Sequence, residues 1–154
     1  PHPHPTNRRQ RQMCIRDRVR LVYTSTITKG ITDSDIQNIL DVARKNNSLV
    51  DVTGLLLFNR NYFLQCLEGS RAQVNKIYHQ ILNDPRHENI LLLDYSEVAE
   101  REFSDWSMGY IPEMNSTMPV NLKYSTSSKF DPYNMSGHSA HKLLLNLRNV
   151  VTIV

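Results

Sequence analysis

Apolar and polar positions alternate regularly from Val19 onward. The segment Val19-Arg20-Leu21-Val22-Tyr23-Thr24-Ser25 predicts a strand with Val19, Leu21, Tyr23 and Ser25 on one face. Thr32 and Ser34 offer caps for a helix in which Ile36, Ile39, Leu40 and Ala43 recur at helical spacing, running out at Lys45-Asn46-Asn47-Ser48. Val52 to Phe58 is a nearly continuous apolar run, as in a covered strand. Asn59-Arg60-Asn61 reads as a tight hairpin and Tyr62 to Glu68 as the returning strand. Ser70 and Gln73 form a capping box opening a second helix with Val74, Ile77, Tyr78 and Ile81 on its apolar face, closed by Asp84-Pro85. Ile90 to Val98 and Phe103 to Ile111 predict two more strands.

That order predicts an α+β fold: a ferredoxin-like βαββαβ sheet with an extra strand and both helices on one face. The pattern divides the chain into a leader at 1–18, a domain at 19–114 and an extension at 115–154. The leader alternates Pro and His and then turns arginine-rich without apolar periodicity, which predicts a disordered segment or an expression artefact. The extension is polar from Asn115 to Ser139, with a possible helix around Asn121 and a short helix expected over Lys142 to Val151. A sheet covered by helices on one face leaves the other needing cover. With the added apolar surface from Leu143, this predicts self-association into a homo-oligomer.

Charge changes the picture less than its total suggests. The net charge is +3, but Arg8, Arg9, Arg11, Arg16 and Arg18 all lie in the leader, opposed there only by Asp17. The rest carries 13 basic and 14 acidic residues, so nucleic-acid binding loses its main support. No apolar run approaches the ~20 residues of a membrane span, and no secretory signal pattern is present. Cys14 and Cys66 lie far apart in unlike settings, which argues against a disulfide framework or zinc site and for a cytoplasmic location.

Chemistry-bearing residues stand out one at a time. Gln65 is an amide in the middle of an apolar strand, sharing a face with Phe63 and Leu67, and so must find partners. Tyr23 is a second polar tip on an apolar face. Asn46-Asn47 forms a polar cluster at a helix end, and Gly54 within a strand permits a close approach to its backbone. Trp106 and Met108, two apart on an expected strand, would share a face. Each has an ordinary structural explanation; together they describe a polar slot on the helical face of the sheet, offering amides to a flat heterocycle. Carboxylate pairs, a Ser-His-Asp arrangement, metal-ligand spacing and a phosphate-binding glycine loop after the first strand are not found. Cys66, mid-strand among apolar residues, is expected to be inert.

Across about Val19 to Met114 the sequence resembles the BLUF domains, sensors of blue light using FAD. The resemblance is carried by Arg20 to Ser25, Asn46-Asn47, Val52-Thr53-Gly54-Leu55-Leu56, Phe63 to Gly69, Asp84-Pro85-Arg86-His87 and Trp106-Ser107-Met108. The extension, at Leu122 to Ser125 and Phe130-Asp131-Pro132, resembles that of short single-domain cyanobacterial members. One departure is Asp51, where many members have glycine.

The resemblance implies FAD held non-covalently between the two helices, with FMN or riboflavin as possible substitutes. It implies that Asn47 reads the pyrimidine edge of the ring and that Gln65 bridges the ring to the Tyr23 hydroxyl. Asn46, Asp84, Arg86 and His87 would flank the ribityl chain or phosphate, and Trp106 and Met108 would sit beside Gln65 and signal. It also implies a photochemical unit of Tyr23 and Gln65 that acts on an unknown downstream partner protein without substrate turnover. The alternatives on the same fold are an acyl-phosphate hydrolase, for which Thr26 to Gly30 supplies no anion-cradling loop, and a non-photochemical small-molecule or nucleic-acid-binding module.

Overall fold

The computed structural model describes residues 17–113, 117–125 and 129–150. Strand β1 (Arg18–Ile27) lies between β3 (Tyr62–Ser70) and β4 (His87–Glu97), antiparallel to both. β2 (Thr53–Phe58) pairs antiparallel with β3, and β5 (Gly109–Pro112) adds to β2 in parallel, giving the order β4-β1-β3-β2-β5. The first four strands follow the ferredoxin-like plan, and β5 is the expected extra strand. The hairpin between β2 and β3 closes as predicted, with the Asn59 side-chain oxygen accepting the Asn61 and Tyr62 N–H groups at 2.8 Å each.

Helix α1 (Asp33–Leu49) opens on Thr32, which exchanges side-chain and backbone bonds with Asp35 in a reciprocal capping box. Helix α2 (Arg71–Leu82) opens on Ser70, whose side chain accepts the Gln73 N–H. Both helices pack on the sheet face that carries Val19, Leu21, Tyr23, Phe63 and Leu67. Period-two alternation dictates the rest: Val22, Leu64 and Cys66 point to the opposite face.

Three features differ from the sequence pattern. α1 continues through Asn46-Asn47-Ser48 to Leu49, so the asparagines stand on the helix. The chain turns at Asp51 instead, at φ 56°, with the Asn47 carbonyl accepting the Val50 and Val52 N–H groups. The last strand is shorter than the predicted Phe103 to Ile111, because Phe103 plunges into the far core and the Glu68 carboxylate takes the N–H groups of Glu102 and Phe103. Those donors are lost to a ladder, and the chain does not pair until Gly109. At the N-terminus, Arg18 is already the first residue of β1 and Asp17 pairs with Arg71; the rest of the expected leader, with Cys14, lies outside the described residues.

The far face of the sheet is covered by the chain itself. Helix α3 (Met118–Tyr124), a 3-10 turn (Pro132–Asn134) and helix α4 (Gly137–Val150) follow β5. α4 begins five residues earlier than expected. Phe130, Met135, Leu143, Leu144 and Leu147 pack against Val22, Leu55, Leu57 and Leu64 in a second core. The bare face on which the expectation of self-association rested is therefore occupied. No helix among the described residues is long and apolar enough to cross a membrane.

Candidate functional site

β1 and β3 are neighbours, and their register sets Tyr23 directly opposite Gln65. Residues opposite each other in an antiparallel pair point to the same face. The Tyr23 hydroxyl donates to Gln65 Oε1, and Gln65 Nε2 lies 3.3 Å from the Met108 sulfur. All three side chains are buried. Burial, reinforced by Tyr78 and Asp84, pushes the Tyr23 phenol far above its ordinary pKa, so it is a neutral donor at any physiological pH.

This pair forms the floor of a cleft between α1 and α2. Ile39, Val42 and Ala43 of α1 and Ile77 and Ile81 of α2 make its apolar walls. Seven residues singled out in the sequence line it together: Tyr23, Asn46, Asn47, Gln65, Asp84, Arg86 and His87. A flat, mostly apolar ring system with polar edges suits such a lining.

Asn47 supplies the sharpest indication of a ligand. Its side chain is 2% exposed, yet Nδ2 has no hydrogen-bond partner among the described residues. An unmet buried donor costs roughly 1–3 kcal/mol. An acceptor on a molecule held in the cleft would recover that cost, which fits the amide edge of a flavin.

Arg86 lines the cleft with its guanidinium already paired inside the chain. Its guanidinium spans both oxygens of Asp84 at 2.8–3.2 Å and reaches Asn38 at 3.3 Å, so the fork expected for a phosphate is engaged within the chain. Burial raises the Asp84 carboxyl, but the Arg86 hydrogen bonds and charge outweigh it and hold the group below the usual range. His87 closes the far end, with Nδ1 2.8 Å from Ser25 Oγ and its ring 5.1 Å from that of Phe63. Burial pushes its pKa down to about 4, so the ring is neutral.

Trp106 and Met108 do not share a face. They lie on the loop before β5, where two-residue spacing carries no strand geometry, and the sheet passes between them. Met108 is buried on the cleft side; Trp106 packs, partly exposed, against the far core. The Trp106 carbonyl accepts the Gly54 N–H at 3.1 Å, and the Met108 carbonyl receives the Arg44 guanidinium at 3.4 Å. Gly54 is required for a backbone approach, since a Cβ there would sit 1.9 Å from the Cys66 carbonyl oxygen.

Sequence reasoning missed Arg44, Gln80 and Tyr78. Gln80 lines the cleft from α2, and the Tyr78 ring stands 5.7 Å from that of Tyr23. Only the apolar stripe containing Tyr78 gave any signal. Cys66 is fully buried and its thiol is pushed up by burial, as its inert reading required. Among the described residues no group of acidic, His or Cys side chains could hold a metal.

The family model described as sensors of blue-light using FAD matches residues 19–109. The blue light- and temperature-regulated antirepressor BluF of Escherichia coli (strain K12) is 45% identical over 78 residues, covering 49% of this chain and 19% of the relative. The photoactivated adenylate cyclase subunit beta of Euglena longa is 30% identical over 101 residues, covering 64% of this chain and 12% of the relative. The chain thus spans a fifth or less of the length of these curated relatives. Among solved structures, the photo-activated state of BlsA superposes with a TM-score of 0.80 at 29% identity, covering 89% of this chain and 98% of that one. The dark state of BlrB, a BLUF protein, gives 0.69 at 28% identity, covering 86% and 98%. With the family model matching more than half of its length, the chain belongs to the BLUF family, the sensors of blue light using FAD.

Proposed function

We propose that this chain is a blue-light receptor that holds FAD non-covalently in the α1–α2 cleft and signals to a partner protein without turning over a substrate. The observation that carries this reading is the buried Tyr23–Gln65 hydrogen bond on the cleft floor. Asn47 and Gln65 would bind the ring's polar edges, and the apolar walls would bury its faces. Asn46, Asp84, Arg86 and His87 would bound the remainder, with Arg86 contributing its paired charge and not a free fork. Bound and excited by blue light, FAD is a strong one-electron oxidant.

The residues below it are arranged to respond. Among the described residues the Tyr23 hydroxyl has Gln65 Oε1 as its acceptor, so a proton leaving the phenol passes to the amide. A primary amide is acceptor at one end and donor at the other. If Gln65 turns over or tautomerises, the bonds to Tyr23 and to the Met108 sulfur change together. Met108 would then carry the change into β5, and Trp106 would carry it toward the far face. Self-association belongs to the same proposal; its support has moved to the edge strand β4, where Leu91 and Leu92 stand nearly half exposed. A reducing, cytoplasmic setting is supported by the buried, unpaired Cys66.

The test is an absorption spectrum of the purified protein in the dark and under blue light. A yellow protein with a reversible red shift is expected. A protein that takes up no flavin, or takes it up and shows no shift, overturns the reading.

A further inference from the structure

Glu102, on the loop between β4 and β5, is bonded to three different elements. Its N–H donates to the Glu68 carboxylate of β3 at 2.9 Å, where the Phe103 N–H joins it at 2.8 Å. Its Oε1 accepts from Arg20 of β1 at 2.9 Å and lies 2.9 Å from Nε2 of His141 on α4. Its main-chain carbonyl accepts from Arg148, also on α4. His141 and Arg148 are seven residues apart, two helical turns, and so reach Glu102 from one face of the helix.

The same loop ends at Met108, under Gln65. Gln65 and Glu68 both belong to β3 and, three residues apart, point to opposite faces of the sheet. One strand therefore holds one loop at two points: through the Met108 sulfur on the cleft side, and through the Glu102 and Phe103 N–H groups on the side covered by α4.

We infer that Glu102 is the positioning residue that fastens α4 to this loop, so that a change at Gln65–Met108 reaches the C-terminal helix through His141 and Arg148. This rests on the proposed reading of Gln65 as the group that reorients. The competing arrangement is that Leu143, Leu144 and Leu147 hold α4 by packing alone and Glu102 adds only local order.

The two are separated by hydrogen exchange of the full chain with FAD bound, followed over residues 137–150 in the dark and under blue light, with the flavin difference spectrum recorded alongside. In the wild type, illumination is expected to speed exchange in this segment by roughly three-fold or more. Glu102→Ala deletes the carboxylate shared by Arg20 and His141 but keeps the main-chain bonds to Glu68 and Arg148. In this variant the red shift should persist, because Glu102 does not line the cleft, while dark exchange rises and the light increment falls to roughly half or less. Glu102→Gln keeps an acceptor for His141 and should retain most of the increment. Should Glu102→Ala fail to fold, His141→Leu removes the helix side of the carboxylate contact and is expected to cut the increment to the same degree. A wild-type increment in Glu102→Ala, or in His141→Leu, overturns the inference. So does a wild type whose red shift is intact while exchange over 137–150 is unmoved by light, a result that leaves the photoreceptor reading standing. A wild type without any red shift overturns both.

Discussion

Asn47 and Tyr23 show how single side chains in this cleft can be weighed. Removing the Asn47 amide removes a buried donor that has no partner among the described residues, so Asn47→Ala should weaken flavin retention by roughly 1–3 kcal/mol, about five- to 150-fold. Flavin absorbance per protein after dialysis measures this, and unchanged occupancy would remove Asn47 from the binding set. Tyr23→Phe and Gln65→Leu keep the volume of the floor while deleting its hydroxyl or its amide, so both should fold, bind flavin and lack the reversible red shift. A wild-type shift in Tyr23→Phe would sink the proposed proton path. His87 carries a pH signature. Its pKa is about 4 in the folded chain against about 6.5 when unfolded, so between those values only the unfolded state binds the proton. The stability that His87 contributes should be level above pH 6.5 and fall by on the order of 3 kcal/mol as the pH drops toward 4; buried His141, whose pKa burial also lowers, adds in the same direction. His87→Gln keeps a partner for Ser25 and should flatten that slope in urea titrations; an unaltered slope would place the acid sensitivity elsewhere. The cleft residues were legible because each is polar on an otherwise apolar face or at a helix end. Trp106 and Met108 were legible as residues but not in their placement. The Glu68 carboxylate, 34 residues before Glu102, captures the backbone donors that a strand would have used, and no local pattern reports that.

Among the elements, the turn between α1 and β2 shows where sequence reading stops short. An asparagine pair near the end of an apolar stripe suggests a helix terminus, yet the left-handed residue is Asp51. A Cβ in that conformation crowds the following carbonyl, which aspartate tolerates better than most residues but glycine avoids altogether. The glycine common in this family at the position suits that geometry. Asp51→Gly should therefore stabilise the chain by up to about 1 kcal/mol, after allowing for glycine's extra entropy loss. That corresponds to a rise of about 2–4 °C in Tm. A lower Tm would mean that the carboxylate makes a compensating contact. The strands themselves were readable because alternation survives intact in β1 and β3, where the two faces meet two different cores.

At the scale of the whole molecule, the sheet is a partition with a core on each side. The ferredoxin-like pattern predicts the helices of one side only, since the residues that cover the other come after a polar stretch with weak periodicity. Deleting residues 137–154 removes Leu143, Leu144 and Leu147 from the far core and uncovers Val22, Leu55, Leu57 and Leu64. The shortened chain should self-associate strongly, because an apolar area of that kind is rarely left in water. Light scattering at matched concentrations of full and shortened chains tests this. A shortened chain that scatters no more than the full one would show that α4 is not the cover that the far core needs.

Trp106 is the only tryptophan in the chain and stands across the sheet from the chromophore cleft. Its indole is therefore a native fluorophore whose emission comes from one address, separated from the cleft by the sheet alone. Across a single sheet a flavin is an efficient resonance-energy acceptor. Loading the cleft should quench the indole without contact, and release of the cofactor should restore its emission. Any later change in quenching under constant occupancy would report movement of the loop itself, so the protein carries its own optical gauge of the distance between its two faces.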